Sequence, residues 1–379
     1  MIERLDKLDV LLEKLEGFID DDHYAEVEKL HLDSLNYRPV DRVPLSVIVD
    51  DKSEMEMFSY TECFTNPEKM LYNELCGSFG SIWYSAQLGD DYPLHIRSNH
   101  GLCAIPSMFG AEVTILNDSM PWVEPMDPDE LKKVVASGNI DLKKGIVPRV
   151  QDTYAYFKER LSAYPKCSRN IHLSQPDMQG PFDNAHLLYG ADIFYELYDE
   201  PEFIHDLLDL VTEAYLQYHA AVKPLLNDDA GDKEAIYVHG GIYGGRAIIK
   251  DDTAIINLSQ RHYEEFALPY NKRLEEALGS VAIHYCGRVL PWHVNVLSND
   301  RMRTINFGNP DLNNLRDLYA QWKQKKTPIV FWGYNSPIEY VASTIRRAGV
   351  KTGLTAATLA PNFEEAKSIW ARHKAGELF

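Results

Sequence analysis

Short apolar runs that are rich in β-branched residues alternate along this chain with longer stretches of helical periodicity. The runs predict six strands, at 43–50, 171–175, 235–240, 281–286, 304–307 and 328–333. The clearest helix is predicted at 202–222, where apolar residues recur at i+3 and i+4 spacing from Phe203 to Tyr218. Because strands that alternate with helices form a parallel sheet covered by helices, the pattern predicts an α/β protein.

Further helices flank these strands. One begins after Ser259, a residue type that caps helices, and Pro269 should bend or interrupt it. Others are predicted at 311–325, 335–349 and 362–374. Near the start of the chain, one stripe of an amphipathic helix is formed by Leu5, Leu8, Leu12 and Leu15. This helix can serve as a homodimer contact or as a lid over the amino end of the fold.

Two arrangements satisfy this alternation, an open doubly wound sheet and a closed barrel of eight strands. No G-x-G-x-x-G follows an early strand and no G-x-x-x-x-G-K-[ST] occurs, so the phosphate-binding loops that accompany many open sheets are missing. The chain length and the number of units favour the barrel. We therefore predict a (β/α)8 TIM barrel at 37–379, preceded by an N-terminal helical extension at 1–36.

The charge balance narrows the classes of partner. The chain has 57 acidic residues against 38 Lys and Arg, which gives a formal net charge of −19. Nucleic acid and anionic membranes would be repelled by this excess, so we expect small molecules or proteins as partners. The five cysteines show no paired spacing, and the first residues lack the apolar core of a signal peptide. We therefore expect a soluble, cytoplasmic protein in a reducing environment.

Polar residues at the predicted strand ends are the candidates for chemistry, because barrels of this kind place their sites there. His284 and Cys286 close the fourth predicted strand, and residues two apart on a strand share a face. Both side chains are zinc ligands, so an open site there can bind and activate a nucleophile. The alternative is a buried cysteine beside a histidine that hydrogen-bonds within the core.

Two further strand ends carry acidic and amide groups. Asp177 and Gln179 follow the second predicted strand, where they either orient a substrate or cap a tight turn. His239 ends the third predicted strand, and Asp251 and Asp252 follow in the next loop. Either aspartate can act as a base, a ligand orienter or a metal ligand. Paired acids in a loop are also typical of a solvated surface, because like charges repel when both are buried.

A series of longer motifs runs through the chain. It comprises RPVDRVP at 38–44, QGPFDNA at 179–185 with Tyr189-Gly190, YELYDEPEFIHDLLDLVTEAYLQYH at 195–219, DDTAIINLSQRHYEEFALPYNKRL at 251–274 followed by IHYCG at 283–287, and KTGLTAATLAPNFEEAKSIW at 351–370. In these stretches the sequence resembles the uroporphyrinogen decarboxylase superfamily, and specifically its corrinoid-dependent methyltransferases. The ordered series is more specific than any one of its motifs.

The resemblance implies a (β/α)8 barrel whose mouth accepts a tetrapyrrole or a corrinoid (cobalamin) carried on a partner protein. It also implies zinc held by a His-x-Cys pair and by a second cysteine near the last strand. His284 and Cys286 match the pair, but the second cysteine is missing, since 352–355 is Thr-Gly-Leu-Thr. Either another residue, for example His239 or Asp252, completes the site, or zinc is absent and the His-x-Cys motif contacts the substrate.

The resemblance also ranks the activities. The decarboxylases of the superfamily bind a polycarboxylate with an arginine-rich loop of the type R-Q-A-G-R, and nothing similar follows Asp50. Without those arginines, the acidic chain would repel such a substrate. The first hypothesis is therefore a methyltransferase that moves a methyl group between a small O-, N- or S-methyl compound and a corrinoid on a partner protein. A metal-free decarboxylase and a non-catalytic tetrapyrrole- or corrinoid-binding protein are the alternatives.

The first hypothesis gives each candidate residue a role. His284 and Cys286 hold the metal, and the catalytic candidates are Asp252, Asp177 and His239. The expected substrate-binding residues are Gln179, Asn99, Tyr237, Tyr285 and Trp332. Aromatic side chains near strand ends can wall a pocket for a flat ligand, although most such side chains complete the core.

Overall fold

The structure is a computed structural model that describes residues 5–51, 55, 57–77, 82–231 and 233–379. Within these ranges the strands are β1 (Leu45–Val49), β2 (His95–Ile96), β3 (Val113–Thr114), β4 (Trp122–Val123), β5 (His172–Leu173), β6 (Asp229–Ala230), β7 (Ala235–Val238), β8 (Gly241–Gly244), β9 (Ile248–Lys250), β10 (Val281–Tyr285), β11 (Met302–Phe307), β12 (Ile329–Pro337) and β13 (Leu354–Ala360).

The α-helices of the same ranges are α1 (Leu5–Phe18), α2 (Asp21–Leu35), α3 (Tyr60–Thr65), α4 (Pro67–Gly77), α5 (Ile82–Leu88), α6 (Ala104–Met108), α7 (Pro128–Ser137), α8 (Val147–Ser162), α9 (Pro165–Asn170), α10 (Pro181–Tyr189), α11 (Ile193–Asp199), α12 (Pro201–Val222), α13 (Asp252–Asn257), α14 (Gln260–Phe266), α15 (Leu268–Leu278), α16 (Pro291–Leu297), α17 (Leu315–Gln324), α18 (Ile338–Ala348) and α19 (Phe363–Lys374).

Six parallel strands form the main sheet, in the order β1, β13, β12, β11, β10 and β9. Ile249 and Ile283 belong to the large core that includes residues of the helices. Ile248 and Ala282, their neighbours in sequence, pack in a smaller cluster on the other face. Because successive side chains of a strand point to opposite faces, both faces of the sheet are buried, and the strands are apolar throughout.

The closed ladder of eight strands that the sequence predicts does not form. In the described part of the chain the sheet is not closed, and β2 and β5 make a separate parallel pair of two residues each. Pro93 precedes β2 and Pro176 follows β5, and proline has no N–H to donate to a longer ladder. A single parallel bridge between Gln179 and Lys250 continues the main sheet beyond β9.

The amino-terminal helices pack into the same core as the sheet. Leu8, Leu12 and Leu15 of α1 are buried there, as their helical spacing predicts, whereas the side chain of Leu5 lies outside the described part of the structure. The end of α2 joins β13, because Ser34 Oγ donates to Leu354 O at 2.8 Å and Ser34 O accepts from Gly353 N at 2.8 Å.

Most predicted helices are present with small changes in their ends. The helix predicted at 202–222 is α12, and the interruption predicted at Pro269 separates α14 from α15. Ser259 caps α14 by accepting from His262 N at 3.3 Å. The strand predicted at 235–240 differs, because β7 runs antiparallel to β6 and β8 in a small separate sheet.

No helix of the described residues is long and apolar enough to cross a membrane.

Candidate metal centre

His284 and Cys286 lie at the end of β10, on the face of the sheet that carries the smaller apolar cluster. We call this the inner face. Ala282, two residues before His284, packs in the inner cluster of apolar residues. Tyr285 points the opposite way and is buried in the large core. Since side chains alternate along a strand, the imidazole and the thiol both face inward, which is the arrangement that the sequence predicts.

Three candidate ligand atoms converge at this strand end. His284 Nε2 lies 3.8 Å from Cys286 Sγ and 3.7 Å from Asp252 Oδ1. All three ligand atoms lie within 4.8 Å of one another. Asp252 is the first residue of α13, and its Oδ1 also accepts a hydrogen bond from Cys286 N. Nitrogen, sulfur and carboxylate oxygen suit zinc, and three protein ligands leave one tetrahedral position open.

Asn306 of β11 fixes the tautomer of His284. The two residues are register partners in neighbouring strands. Asn306 Nδ2 donates to Val330 O at 2.7 Å, so its Oδ1 faces His284 Nδ1 and accepts a hydrogen bond from it. The proton of the neutral imidazole therefore lies on Nδ1, and the lone pair of Nε2 points toward Asp252 and Cys286. Metal-binding histidines are usually oriented by such a bond to their second nitrogen.

The three candidate ligands differ in their access to solvent. The side chain of His284 is 4% exposed and that of Asp252 is 29% exposed. Cys286 is exposed, whereas the other four cysteines are buried. A Cβ at Gly308 would lie 2.8 Å from Cys286 Sγ, so the glycine keeps open the space over the thiol. The candidate site is therefore buried at His284 and open to solvent at Cys286.

Burial and nearby charges set the protonation states at this site. Although Cys286 is exposed as a residue, partial desolvation of its sulfur raises the pKa of the thiol to about 12, and Asp252 acts in the same direction. Burial lowers the pKa of His284, and Asp252 partly opposes this effect. The imidazole is therefore neutral at pH 7 and the thiol keeps its proton. A divalent cation would stabilise the thiolate, so Cys286 would lose its proton when a metal ion binds.

His239 and Trp332 form one wall beside the imidazole of His284. The ring centroid of His239 lies 4.3 Å from that of His284 and 4.2 Å from that of Trp332. Gly240 permits this packing, because a Cβ there would lie 2.9 Å from Trp332 Nε1. Burial lowers the pKa of His239, as do the charges of Lys250 and Arg97. Asp252 therefore belongs to the group of candidate ligands, whereas His239 lies against the imidazole ring of His284.

A buried ion cluster lies next to this group. Lys250 Nζ donates to Asp177 Oδ1 at 2.5 Å, and Arg97 Nη1 donates to Asp177 Oδ2 at 3.1 Å. Gln179 Nε2 donates to Asp177 Oδ1 at 3.2 Å. Burial acts to raise the pKa of Asp177, but the charges of Lys250 and Arg97 outweigh it and lower that pKa below its ordinary value. Asp177 is therefore ionised at pH 7.

Asn99 connects the ion cluster to a neighbouring cavity. Its Oδ1 accepts from Arg97 Nη2 at 3.2 Å, and its Nδ2 donates to Glu74 Oε1 at 2.9 Å. Asn99 and Glu74 line a cavity of about 280 Å³ whose other walls include Phe58 and Met70. Asn99 thus lies between the ion cluster and this cavity.

Two aromatic residues expected at a substrate pocket lie elsewhere. The ring of Tyr285 is fully buried in the large core, because it faces away from His284. Tyr237 lies in the small antiparallel sheet, where its hydroxyl donates to Glu28 Oε2 at 2.6 Å and its ring stacks on His172 at 3.7 Å. The hydrogen bond joins the small sheet to α2, and the ring contact joins it to β5.

Three residues of the site, Lys250, Arg97 and Asn306, are not among the sequence-predicted candidates. Lys250 ends a strand of three residues, and Arg97 follows a strand of two, so neither shows a useful alternation pattern. Asn306 lies inside the predicted strand 304–307 and is fully buried. An amide within an apolar strand is a sequence signal for a polar partner, because buried polar groups are hydrogen-bonded.

Comparison with known proteins identifies a similar fold but does not identify a family. No family model matches the chain, and no curated protein matches it. Among solved structures, the fold is similar to that of a methyltransferase from Methanosarcina mazei, with a TM-score of 0.63 and 16% sequence identity. The alignment covers 92% of this chain and 98% of that chain. At this identity the likeness establishes a shared fold, on which different chemistries occur.

Proposed function

We propose that this protein is a methyltransferase that moves a methyl group between a small O-, N- or S-methyl compound and a corrinoid on a partner protein, assisted by zinc. The observation that carries the proposal is the convergence of Asp252, His284 and Cys286 at one strand end. Two further findings support it. The fold is similar to that of a solved methyltransferase, and the ordered motifs resemble corrinoid-dependent methyltransferases.

The proposal includes membership of the uroporphyrinogen decarboxylase superfamily and its barrel. Backbone hydrogen bonds support a barrel wall in the region where the ladder is interrupted. Asp91 N donates to Leu45 O at 3.3 Å, beside β1, and Ser174 N donates to Ile96 O at 2.8 Å, beside β2 and β5. With the bridge between Gln179 and Lys250, these contacts run in the order expected around eight strands.

The residues present fit a zinc ion. His284 offers the unprotonated Nε2, held by Asn306, and Cys286 offers a thiol at the open side. Asp252 takes the place of the second cysteine that the resemblance implies, and a carboxylate is an accepted zinc ligand. When bound, zinc would supply a Lewis acid that stabilises negative charge on the donor heteroatom as its methyl group leaves.

The chain's own residues would bind and orient the methyl donor. His239 and Trp332 wall one side and exclude water from the position next to His284. Asp177, held ionised by Lys250 and Arg97, and Gln179 beside it present polar groups that orient the donor. Fixed charges and dipoles of this kind lower the barrier because they need no reorganisation during the reaction.

Exposed apolar side chains lie on segments that follow the candidate ligands in the chain. Ile256, Leu290 and Leu312 are 52%, 38% and 52% exposed. Ile256 adjoins the chain just after Cys286, since a Cβ at Gly287 would lie 2.8 Å from its Cγ1. Leu290 and Leu312 line one groove of about 310 Å³. Exposed apolar side chains near a polar site are typical of a surface that binds a partner, and they suit the apolar face of a corrin ring.

Metal analysis and methyl transfer together test the proposal. We expect about one zinc per chain, and methylcobalamin formed from cob(I)alamin with at least one member of a panel of O-, N- and S-methyl donors. His284→Ala and Cys286→Ala should each abolish both. Cys167→Ala is the matched control, because it removes a buried thiol that contacts α1 rather than the candidate ligands. Its zinc content and its turnover should equal those of the wild type.

Other outcomes would favour the alternatives. Unchanged turnover in His284→Ala or Cys286→Ala would refute the zinc-assisted mechanism. Release of carbon dioxide from a carboxylate by the metal-free protein would instead indicate a decarboxylase. A shift in corrinoid absorbance without turnover of any donor would indicate a binding protein.

A further inference from the structure

Lys250 has a larger hydrogen-bonding capacity than its surroundings satisfy. Its ammonium carries three N–H groups. Its side chain is only 5% exposed, and the described residues provide it with one acceptor, Asp177 Oδ1 at 2.5 Å. A buried donor without an acceptor is costly, so this ammonium is well suited to accept a further partner in the site.

The strand register places this ammonium beside the candidate metal ligands. Gln179, Lys250, His284 and Asn306 are consecutive partners across neighbouring strands. Partners at one level of a parallel sheet face the same way and lie about 4.8 Å apart. Lys250 and His284 therefore border the same space, and a ligand atom bound at His284 can have a second group within reach of Lys250.

Arg97 adds a second buried cation to the same wall. Its side chain is 8% exposed. Arg97 contacts Oδ2 of the Asp177 carboxylate, and Lys250 contacts Oδ1. Asp177 is the most exposed of the three, at 15%. Gln179 contributes an amide donor to the same point. Two cations and an amide therefore converge on the Asp177 carboxylate, and groups of this kind are the donors that a carboxylate accepts.

We propose that Lys250 and Arg97 bind the carboxylate of the substrate, so that the methyl donor is a small acid. Its methylated heteroatom and its carboxylate lie close together in the molecule, because Lys250 and His284 are partners on neighbouring strands about 4.8 Å apart. The identity of the acid as a methyl donor rests on the proposed function, whereas the binding of its carboxylate does not. Asp177 keeps both cations in place when the site is empty.

A pair of probes that differ only in charge tests this inference. The probes are 3-methoxypropanoate and its neutral amide, 3-methoxypropanamide, and their dissociation constants are measured by ligand-observed NMR with zinc-free and zinc-loaded protein. We expect the acid to bind at least about tenfold more tightly than the amide in both forms, as a charge-assisted hydrogen bond provides. This comparison needs no substitution, so it stands even where a variant folds poorly.

Variants then assign the preference to Lys250. Lys250→Met should remove most of the preference for the acid, and Lys250→Arg should keep part of it. Lys325→Met, which removes an exposed lysine, is the matched control and should bind both probes as the wild type does. Circular dichroism and thermal unfolding check that each variant is folded.

Three results would overturn the inference: equal affinity for the acid and the amide, a preference for the acid that survives in Lys250→Met, or a preference that appears only with zinc. The last result would mean that the metal binds the carboxylate. Failure of the proposed function has a different signature, because the acid would still bind through Lys250 while no donor, charged or neutral, would methylate cob(I)alamin.

Discussion

Replacing Asn306 should weaken metal binding although Asn306 is not a ligand. The amide accepts from His284 Nδ1 and donates to Val330 O at 2.7 Å, and the residue is fully buried. Asn306→Ala leaves the imidazole free to rotate and to carry its proton on Nε2, where it would block coordination. Loss of a partner that orients a metal-binding histidine typically lowers affinity by about 10–100-fold.

The same substitution has a predictable cost in stability. It removes two buried hydrogen bonds worth about 1 kcal/mol each, and it leaves His284 Nδ1 without its partner. We expect the free energy of unfolding of the metal-free protein to fall by about 2–4 kcal/mol. Asn306→Asp keeps the acceptor for His284, so it should bind zinc more tightly than Asn306→Ala does.

Zinc titration against a competing chelator measures the affinity, and urea unfolding measures the stability. Nitrogen chemical shifts of His284 add a test that needs no metal, since they should report a proton on Nδ1 in the wild type. Asn299→Ala is the control, because Asn299 donates to Glu275 Oε1 and lies away from the candidate ligands. Wild-type zinc affinity in Asn306→Ala, or a proton on Nε2 in the wild type, would refute the reasoning.

Three other perturbations probe the site and its support. Gly308→Ala should slow alkylation of Cys286 by iodoacetamide at least about tenfold, because the new Cβ would lie 2.8 Å from Sγ; an unchanged rate measured by mass spectrometry would contradict this. Burial lowers the pKa of His95 to about 4, so the unfolded chain takes up the proton first. His95 should therefore lose up to about 3 kcal/mol of its stabilising effect as the pH falls from 6.5 to 4. Urea unfolding of wild type and His95→Gln should show their stability difference shrinking over that window, and a constant difference would be evidence against it. Asp91→Asn should cost about 1–3 kcal/mol, because it weakens the 2.5 Å contact between the buried Asp91 carboxylate and Arg42, whose side chain is 35% exposed; a loss below about 0.5 kcal/mol would mean that solvent screens the pair.

Alternation along strands explains what the sequence could predict about the site. The spacing of His284 and Cys286 was enough to place both side chains on one face of a single strand, and their 3.8 Å contact agrees. The same alternation puts Tyr285 on the opposite face, where it is buried in the large core. A role of Tyr285 in substrate binding therefore does not agree with the positions of His284 and Cys286 on the strand. Asp252 was one of two open choices for the third ligand, and only the position of α13 separates it from His239.

The parts that the sequence did not predict depend on short elements and on long-range pairing. Strand β9 has three residues, too few to show a period of two, so Lys250 was not recognised as an inward residue. The last strand, β13, was missed because its alanines and threonines lack the large apolar side chains of the other strands. Tyr237 was assigned to the parallel sheet because a local apolar run does not reveal whether its partner is parallel or antiparallel.

X-ray absorption at the zinc edge of the purified, zinc-loaded protein tests the central claim most directly. We predict a single sulfur ligand at about 2.3 Å and nitrogen or oxygen ligands at about 2.0–2.2 Å. The sulfur signal should vanish in Cys286→Ala and persist in Cys167→Ala. A zinc shell without sulfur in the wild type, or a protein that retains no zinc, would contradict the assignment of Asp252, His284 and Cys286 as the metal centre.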